Sequence, residues 1–334
     1  MLKVVSYNTD HVELDSNDNC KPCTDSFVSP FAKRAVYKYL QIPCGRCIGC
    51  RLDYSRGWAD RCMLELGYHD SAYFVTLTYD DLHLPINSYC NMETGEIGSS
   101  ATLVKRDLQL FMKRLRKAHC AKYGEDALLR FFAAGEYGSQ THRPHYHAII
   151  YGLKLDDLKF YKRNSFPQNY DLYNSEWLSN IWKKGHVVVG NVTWDTCAYT
   201  ARYIVKKQYG NAAEVYEKYN FSPEFTQMSR KPGIGRRYYE EKKEDIKNKL
   251  RNNDVIFIGD GSGVRPARTP KYFERLFDIE EPDLLPPLKE TRQRIAKDLT
   301  LAKLDQTSLD YIDMLESEEA NKLASISALR RKEI

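Results

Sequence analysis

The stretch that most restricts the fold of this chain is 129–151. Two apolar runs rich in β-branched and aromatic residues, 129–136 (LRFFAAGE) and 145–151 (HYHAIIY), flank the turn-rich segment YGSQTHRP. Runs of this length, bounded by Gly, Ser and Pro, read as the two strands of a hairpin. Eight residues separate Glu136 from His145, so closing the hairpin sets them opposite one another. Side chains alternate along a strand, and His145 and His147 therefore point the same way. Opposed residues share a face, with Cβ atoms roughly 4.5–5.5 Å apart. Glu136, His145 and His147 are expected to converge and to leave open positions around any ion they hold. A carboxylate with two imidazoles suits zinc, and equally Mg²⁺ or Mn²⁺ clamping a phosphate oxygen. Two surface histidines on an ordinary strand would give the same pattern.

The remaining periodicities predict an α+β fold. Strands are expected at 72–79 (AYFVTLTY) and 186–192, and helices at 51–68, 105–117, 174–183 (capped by Asn174 or Ser175) and 194–208. The segment 230–239, RKPGIGRRYY, reads as a basic loop punctuated by glycine. Pro282, Pro286 and Pro287 mark a boundary before a charged helical stretch at 288–331 with no core of its own. The expected organisation is 1–68, a Cys-rich arm and helix; 69–210, the central domain; 211–285, a basic loop-rich extension; and 286–334, a helical tail. The partner of that tail stays open between a second copy and another protein.

A hydrophobic fraction of 42% beside 28% charged residues allows a sizeable core and excludes wholesale disorder. No run approaches the roughly 18 apolar residues of a membrane span, and the first residues lack a secretory apolar region. A soluble cytoplasmic protein is the expectation. The net charge of +5 is too mild to announce a nucleic-acid partner, but it is unevenly spread. Residues 278–334 hold 13 Asp/Glu against 9 Lys/Arg, which leaves +9 on the rest. The segment 105–117 has six Lys/Arg and one Asp, with Leu108, Phe111, Met112 and Leu115 at i, i+3, i+4 and i+7. It reads as an amphipathic helix whose cations, Lys113 and Arg116 among them, either contact phosphates or form a solvated surface.

Tyr199 and Tyr203 are i, i+4 neighbours on a helix, and Lys206 continues their stripe. A phenol becomes a useful nucleophile where a metal or an ammonium stabilises the developing charge. With 24 Tyr in the chain, two rings packing a core edge would look alike. Nine Cys include Cys20-x-x-Cys23 and Cys44-x-x-Cys47-x-x-Cys50. Such hooks in a reducing compartment read as a structural zinc site better than as disulfides. Cys20, Cys23, Cys44 and Cys47 are the preferred ligands and Cys50 the alternative, with reduced cysteines in a flexible arm the plainer reading. Arg46, Arg51, Arg56 and Arg61 nearby could touch DNA. Cys62, Cys90, Cys120 and Cys197 read as buried or incidental.

Taken in order, these blocks resemble the HUH endonuclease superfamily and, within it, the replication initiators of gokushoviruses, small single-stranded DNA phages. Phe74-Val75-Thr76-Leu77-Thr78-Tyr79 is similar to the family's first motif. Gly135-Glu136-Tyr137-Gly138 with His145-Tyr146-His147 matches the second, and Tyr199-x-x-x-Tyr203-x-x-Lys206 the two-tyrosine third. Pro43-Cys44-Gly45-x-Cys47-x-Gly49-Cys50-Arg51 and Met228-Ser229-x-Lys231-Pro232-Gly233-Ile234-Gly235 point to the phage subgroup. The resemblance implies an RRM-like antiparallel sheet with flanking helices. It implies Mg²⁺ or Mn²⁺ on Glu136, His145 and His147, nucleophiles Tyr199 and Tyr203, and Lys206 as the helix lysine, although Lys207 follows it.

The implied activity is nicking of single-stranded or replicative-form phage DNA through a 5′-phosphotyrosyl link, and rejoining, in the bacterial host cytoplasm. Host replication proteins would use the released 3′-OH. Arg236, Arg237, Tyr238 and Tyr239 are candidates for a groove holding the strand. Two competing functions stay open. One is a non-enzymatic, zinc-dependent single-stranded nucleic-acid-binding protein. The other is a metallohydrolase acting without a tyrosyl intermediate.

Overall fold

A computed structural model describes residues 2–8, 35–41, 45, 47–92, 94–124, 126, 128–138, 140–164, 170–208, 210–252, 254–259, 263–309 and 311–330; the side chains of 2–8, 35–41, 164, 203–206, 210–211, 312 and 326–330 lie outside this description. The chain divides into units 1–50 and 51–334. In the first, β1 (Leu2–Asn8) pairs antiparallel with β2 (Ala35–Gln41). Then come α1 (Ile48–Leu66), β3 (Ala72–Thr78), the hairpin β4 (Ile86–Cys90) and β5 (Ile97–Ala101), and α2 (Lys105–Tyr123). The hairpin β6 (Arg130–Tyr137) and β7 (Pro144–Tyr151) precedes β8 (Leu158–Asn164), β9 (Tyr170–Ser175), α3 (Glu176–Trp182), β10 (Val187–Asn191) and α4 (Trp194–Lys206). The rest comprises a 3₁₀ turn Gly210–Ala213, α5 (Glu214–Lys218), β11 (Phe225–Met228), α6 (Arg236–Glu241), α7 (Lys243–Asn252), β12 (Val255–Gly259), β13 (Val264–Arg268), α8 (Lys271–Glu280), α9 (Leu285–Leu304) and α10 (Tyr311–Arg330).

The architecture is α+β. A seven-stranded antiparallel sheet, in the order β11-β6-β7-β3-β10-β9-β8, carries helices on both faces. Alternation along the strands sorts the core into two halves. Phe74, Phe132, Ile149 and Tyr151 face α1 and α4, meeting Trp58, Cys62, Cys197, Ala198 and Ala201. Val75, Leu77, Phe131, Ala133, Ala148 and Ile150 face the other way, onto the apolar stripe of α2 and onto Leu178 and Trp182 of α3. The predicted β3, β6, β7 and β10 are all present. The strands β8, β9 and β11 widen the sheet, and β4–β5 is inserted before α2. The sequence hid β4–β5 because its side chains alternate only between exposed and half-buried, so no apolar face marks them.

The helix at α4 forms despite its β-branched residues. Thr193 and Thr196 close a reciprocal cap at its start, and the small Cys197, Ala198 and Ala201 let its axis lie close to the sheet. Ser175 caps α3, accepting from the Leu178 N–H at 3.1 Å. The expected loop at 230–239 is a turn only to Gly235; from Arg236 it is helical. Gly235 makes that possible with a left-handed φ of +75°. In the tail, Pro286 and Pro287 fall in the first turn of α9, where a missing N–H costs no hydrogen bond. Leu285 and Met314 are the buried side chains described in α9 and α10, in line with the expected lack of a core there. Among the described residues, no helix is long and apolar enough to cross a membrane.

The Met228–Gly235 block docks on α1 through one buried carboxylate. Glu65 accepts from the Gly235 N–H at 2.7 Å, from His69 Nε2 at 3.0 Å and from Arg130 Nε. Burial would raise the Glu65 pKa, but these bonds and the Arg130 charge outweigh it and hold it below the usual carboxylate range. Breaking a buried pair by removing one partner costs roughly 3–5 kcal/mol, so Glu65→Ala is expected to lose stability on that scale in denaturant titrations. A loss under about 1 kcal/mol would refute the pairing as a determinant of stability. The folded pKa is depressed, so the stabilisation is present above the unfolded carboxylate value of about 4.3 and disappears as pH falls through the folded one. In Glu65→Ala that part of the acid sensitivity is expected to vanish.

Candidate metal centre and tyrosine helix

Register assembles the centre. Glu136 pairs with His145 between β6 and β7, and His145 and His147 pair with Thr78 and Thr76 of β3. All five side chains therefore share the α4 face of the sheet. His145 Nε2 lies 2.6 Å and His147 Nε2 3.1 Å from the same oxygen, Glu136 Oε1. Glu136 is 1% exposed and His147 5%. Burial would raise the Glu136 pKa; the hydrogen bonds and charges of the two histidines outweigh it and hold the carboxyl at about 2.

The outer nitrogens show what the centre requires. His145 Nδ1 lies 3.0 Å from the Arg143 carbonyl, which can only accept, so Nδ1 carries a proton. Its Nε2 then faces a carboxylate oxygen with a lone pair unless a cation, a second proton or a metal, lies between them. The three ligand atoms lie within 4.8 Å of one another. Their chemistry, one ionised oxygen and two Nε2 atoms, fits a divalent metal. His147 Nδ1 is held by Thr76 Oγ1 at 3.0 Å, and its ring stacks on Phe74 at 5.4 Å with 4° between planes. Partners of this kind orient metal-ligating histidines, and losing one costs roughly 10–100-fold in affinity. Thr76→Val is expected to weaken Mn²⁺ binding by that factor in calorimetric titration. Unchanged affinity would mean that Phe74 alone orients the ring.

Tyr199 of α4 stands over this centre. Its ring is 5.1 Å from that of His147 at 81°, and 6.2 Å from that of Phe74 at 78°. The backbone of Tyr203 follows one helical turn on, roughly 6 Å along the axis at 1.5 Å per residue. Lys206 ends the helix. The side chains of Tyr203 and Lys206 lie outside the described residues. The Lys207 carbonyl accepts from Arg51 Nη1 at 2.9 Å, which ties the end of α4 to α1.

The other expected site residues are spread out. Lys113 and Arg116 belong to α2, on the sheet face away from the histidines. Arg116 lies against the Phe131 ring. Arg236 pairs with Glu240 at 2.8 Å and Glu280 at 3.5 Å, and the buried Tyr239 donates to Glu280 at 2.8 Å. Tyr238 stacks on Phe273, while Arg237 is exposed beside the Tyr68 ring. These residues pin α6 to α8. Arg61 is spent on the Ile234 carbonyl between the rings of Trp58 and Tyr272. Cys20, Cys23, Cys44 and Arg46 lie outside the described residues, and Cys47 and Cys50 are part-exposed. Cys62 and Cys197 are buried, as expected, and Cys90 is exposed. Sequence reasoning missed Thr76 and the Arg143 carbonyl as supports. Thr76 could have been found, since alternation in FVTLTY sets it on one face with Thr78.

Residues 72–208 match a family of replication-associated proteins of the ORF2 type. The chain is 33% identical over 288 residues to the replication-associated protein ORF2 of Spiroplasma virus 4, covering 85% of this chain and 83% of that protein. It is 30% identical over 245 residues to the replication-associated protein VP4 of Bdellovibrio phage phiMH2K, covering 72% and 69%. A third relative, the replication-associated protein ORF4 of Chlamydia phage 1, is 30% identical over 189 residues, covering 54% and 43%. No solved structure matches the chain.

Proposed function

The chain belongs to the ORF2 family of phage replication-associated proteins, and from that premise we propose that it is a rolling-circle replication initiator that nicks and rejoins single-stranded origin DNA. The observation that carries this reading is the Tyr199 ring, 5.1 Å from a histidine of the carboxylate–imidazole centre. In this reading the sheet and its two helical layers are the RRM-like palm of an HUH nuclease. Glu136, His145 and His147 would hold Mg²⁺ or Mn²⁺. When bound, such an ion supplies Lewis-acid polarisation and orientation of the scissile phosphate.

The protein's own groups do the rest. The phenol oxygen of Tyr199 or Tyr203 attacks phosphorus. The P–O3′ bond breaks as the tyrosyl O–P bond forms, the phenol proton leaves, and the 3′ oxygen departs as an alcohol. Bond energy is retained in the link, so joining needs no nucleotide triphosphate. Thr76, Phe74 and the Arg143 carbonyl keep the imidazoles aimed, and Lys206 stabilises charge on the phenolate and phosphate. The second tyrosine cuts the regenerated junction after one circuit, and the freed 3′-OH closes the circle. Host replication proteins would extend the 3′-OH in between. Arg237 is a candidate backbone contact, and the cysteine hooks remain a candidate zinc site.

The direct test mixes the protein with labelled single-stranded origin DNA and Mn²⁺, with and without chelator. A denaturation-resistant adduct is expected only without chelator. An adduct-free product carrying a 5′-phosphate from the outset would favour plain metallohydrolysis, and binding without cleavage would favour a non-enzymatic role.

A further inference from the structure

A cleft of about 920 Å³ opens beside the centre; binding sites for small ligands run roughly 300–1,000 Å³. Three pieces build it: the β4–β5 hairpin, the β6–β7 turn and the chain that follows α4. Tyr89, Tyr137, Tyr216, Tyr219 and Phe221 form much of its wall. Tyr89 meets Tyr219 edge to face at 5.1 Å, and Phe221 meets Tyr137 and Tyr216 in the same manner at 5.2 Å. An edge-to-face contact covers one ring face, so flat apolar surface remains for a planar guest.

The wall is preformed. Tyr89 lies across its β5 partner Gly98, where an added Cβ would come within 2.4 Å of the ring, so only glycine admits the ring in that position. The hairpin is fastened to the opposite wall. Ser100 Oγ donates to the Tyr219 carbonyl at 2.6 Å, and Asn87 and Asn220 each donate to the other strand's backbone. Polar groups also line the cleft, among them Thr141, Gln208 and Glu224, with Glu224 accepting from Tyr216 at 2.5 Å.

One residue joins this cleft to the centre. Gly138 lines the cleft, and its N–H donates at 3.0 Å to the Arg143 carbonyl, the same oxygen that holds His145 Nδ1. A methyl group added to Gly138 would sit 3.6 Å from His145 Cε1. A strand with a phosphate at the histidines thus has the aromatic cleft within reach of a neighbouring nucleotide.

We propose that this cleft takes an unpaired nucleobase flanking the scissile phosphate and so sets sequence preference around the cut. The inference rests on the nicking function proposed for the adjacent centre. Stacked aromatic walls recognise the face of a base, whereas a bare sugar–phosphate chain has no use for them. A base held in a duplex offers no free face, which restricts the cleft to single strands.

The test uses the full-length protein in chelator, so that no cleavage occurs, and fluorescence polarisation of two probes. One is a thymidine 12-mer and the other an abasic 12-mer of the same charge. The wild type is expected to prefer the thymidine strand by about tenfold or more, the scale of aromatic stacking on a base. Tyr219→Ala is expected to lose most of that preference with its affinity for the abasic strand unchanged, and Tyr219→Phe to keep it. If Tyr219→Ala does not fold, Tyr89→Ala is read in the same way. Equal binding of both probes by the wild type, or a wild-type ratio in the folded alanine variants, would overturn the proposal. Base preference in a protein that forms no covalent adduct with Mn²⁺ would leave the cleft standing and strike the nicking function alone.

Discussion

Replacing both Tyr199 and Tyr203 by phenylalanine is expected to abolish covalent capture of single-stranded DNA, with a fall in cleavage of at least about 10³-fold, the scale on which losing a nucleophile acts. Phenylalanine keeps the ring that Tyr199 sets between His147 and Phe74, so helix packing and metal binding should survive. That separates loss of a phenol from loss of fold. The single variants are expected to diverge. Tyr199→Phe and Tyr203→Phe each leave one phenol on the helix, so one cut remains available, while the two alternating transfers needed to close a circle do not. The measurement is denaturing electrophoresis of adduct and of circular product, each against labelled substrate. An undiminished adduct in the double variant would remove the tyrosines from the chemistry altogether.

The second large effect concerns the centre itself. Glu136→Gln and His147→Ala are each expected to abolish detectable Mn²⁺ binding and Mn²⁺-dependent cleavage. The argument starts from burial. An ionised carboxylate that is 1% exposed is costly unless paired, and the two imidazoles share a single oxygen of it. A divalent ion binding the folded protein alone stabilises it by about 2.7 kcal/mol at 100 times its dissociation constant. The wild type should therefore melt at a higher temperature as Mn²⁺ is added, and Glu136→Gln should show no such rise. This readout needs no DNA and no activity. A metal-dependent rise of wild-type size in Glu136→Gln would place the ion elsewhere.

How much of this was legible beforehand differs by element. The β6–β7 hairpin and its register could be read because both strands are apolar, the turn is rich in Gly, Ser and Pro, and the count of eight residues leaves one natural pairing. The basic helix α2 could be read from its stripe, yet the stripe says nothing of which sheet face it covers. Lys113 and Arg116 proved to lie on the face away from the histidines. The segment 236–239 looked like a cationic, aromatic groove, but Arg236 and Tyr239 are occupied by Glu280, more than 40 residues away. Hairpin β4–β5 and the cleft it closes left no pattern at all, since an insertion with one solvent-facing side and one polar, half-buried side has no hydrophobic period.

By itself, then, the sequence determined what alternation and spacing can determine: the strands flanking the turn, the shared face of Glu136, His145 and His147, and the i, i+4 stripe of Tyr199 and Tyr203. Those are local consequences of the strand's period of two and the helix's 3.6. The tertiary structure decided which helix stands over which face, that Thr76 and the Arg143 carbonyl aim the imidazoles, and that five aromatic residues from distant segments share one cleft. Such outcomes depend on contacts between residues far apart in the chain, and packing selects these from the whole set of faces at once rather than from any single run of residues.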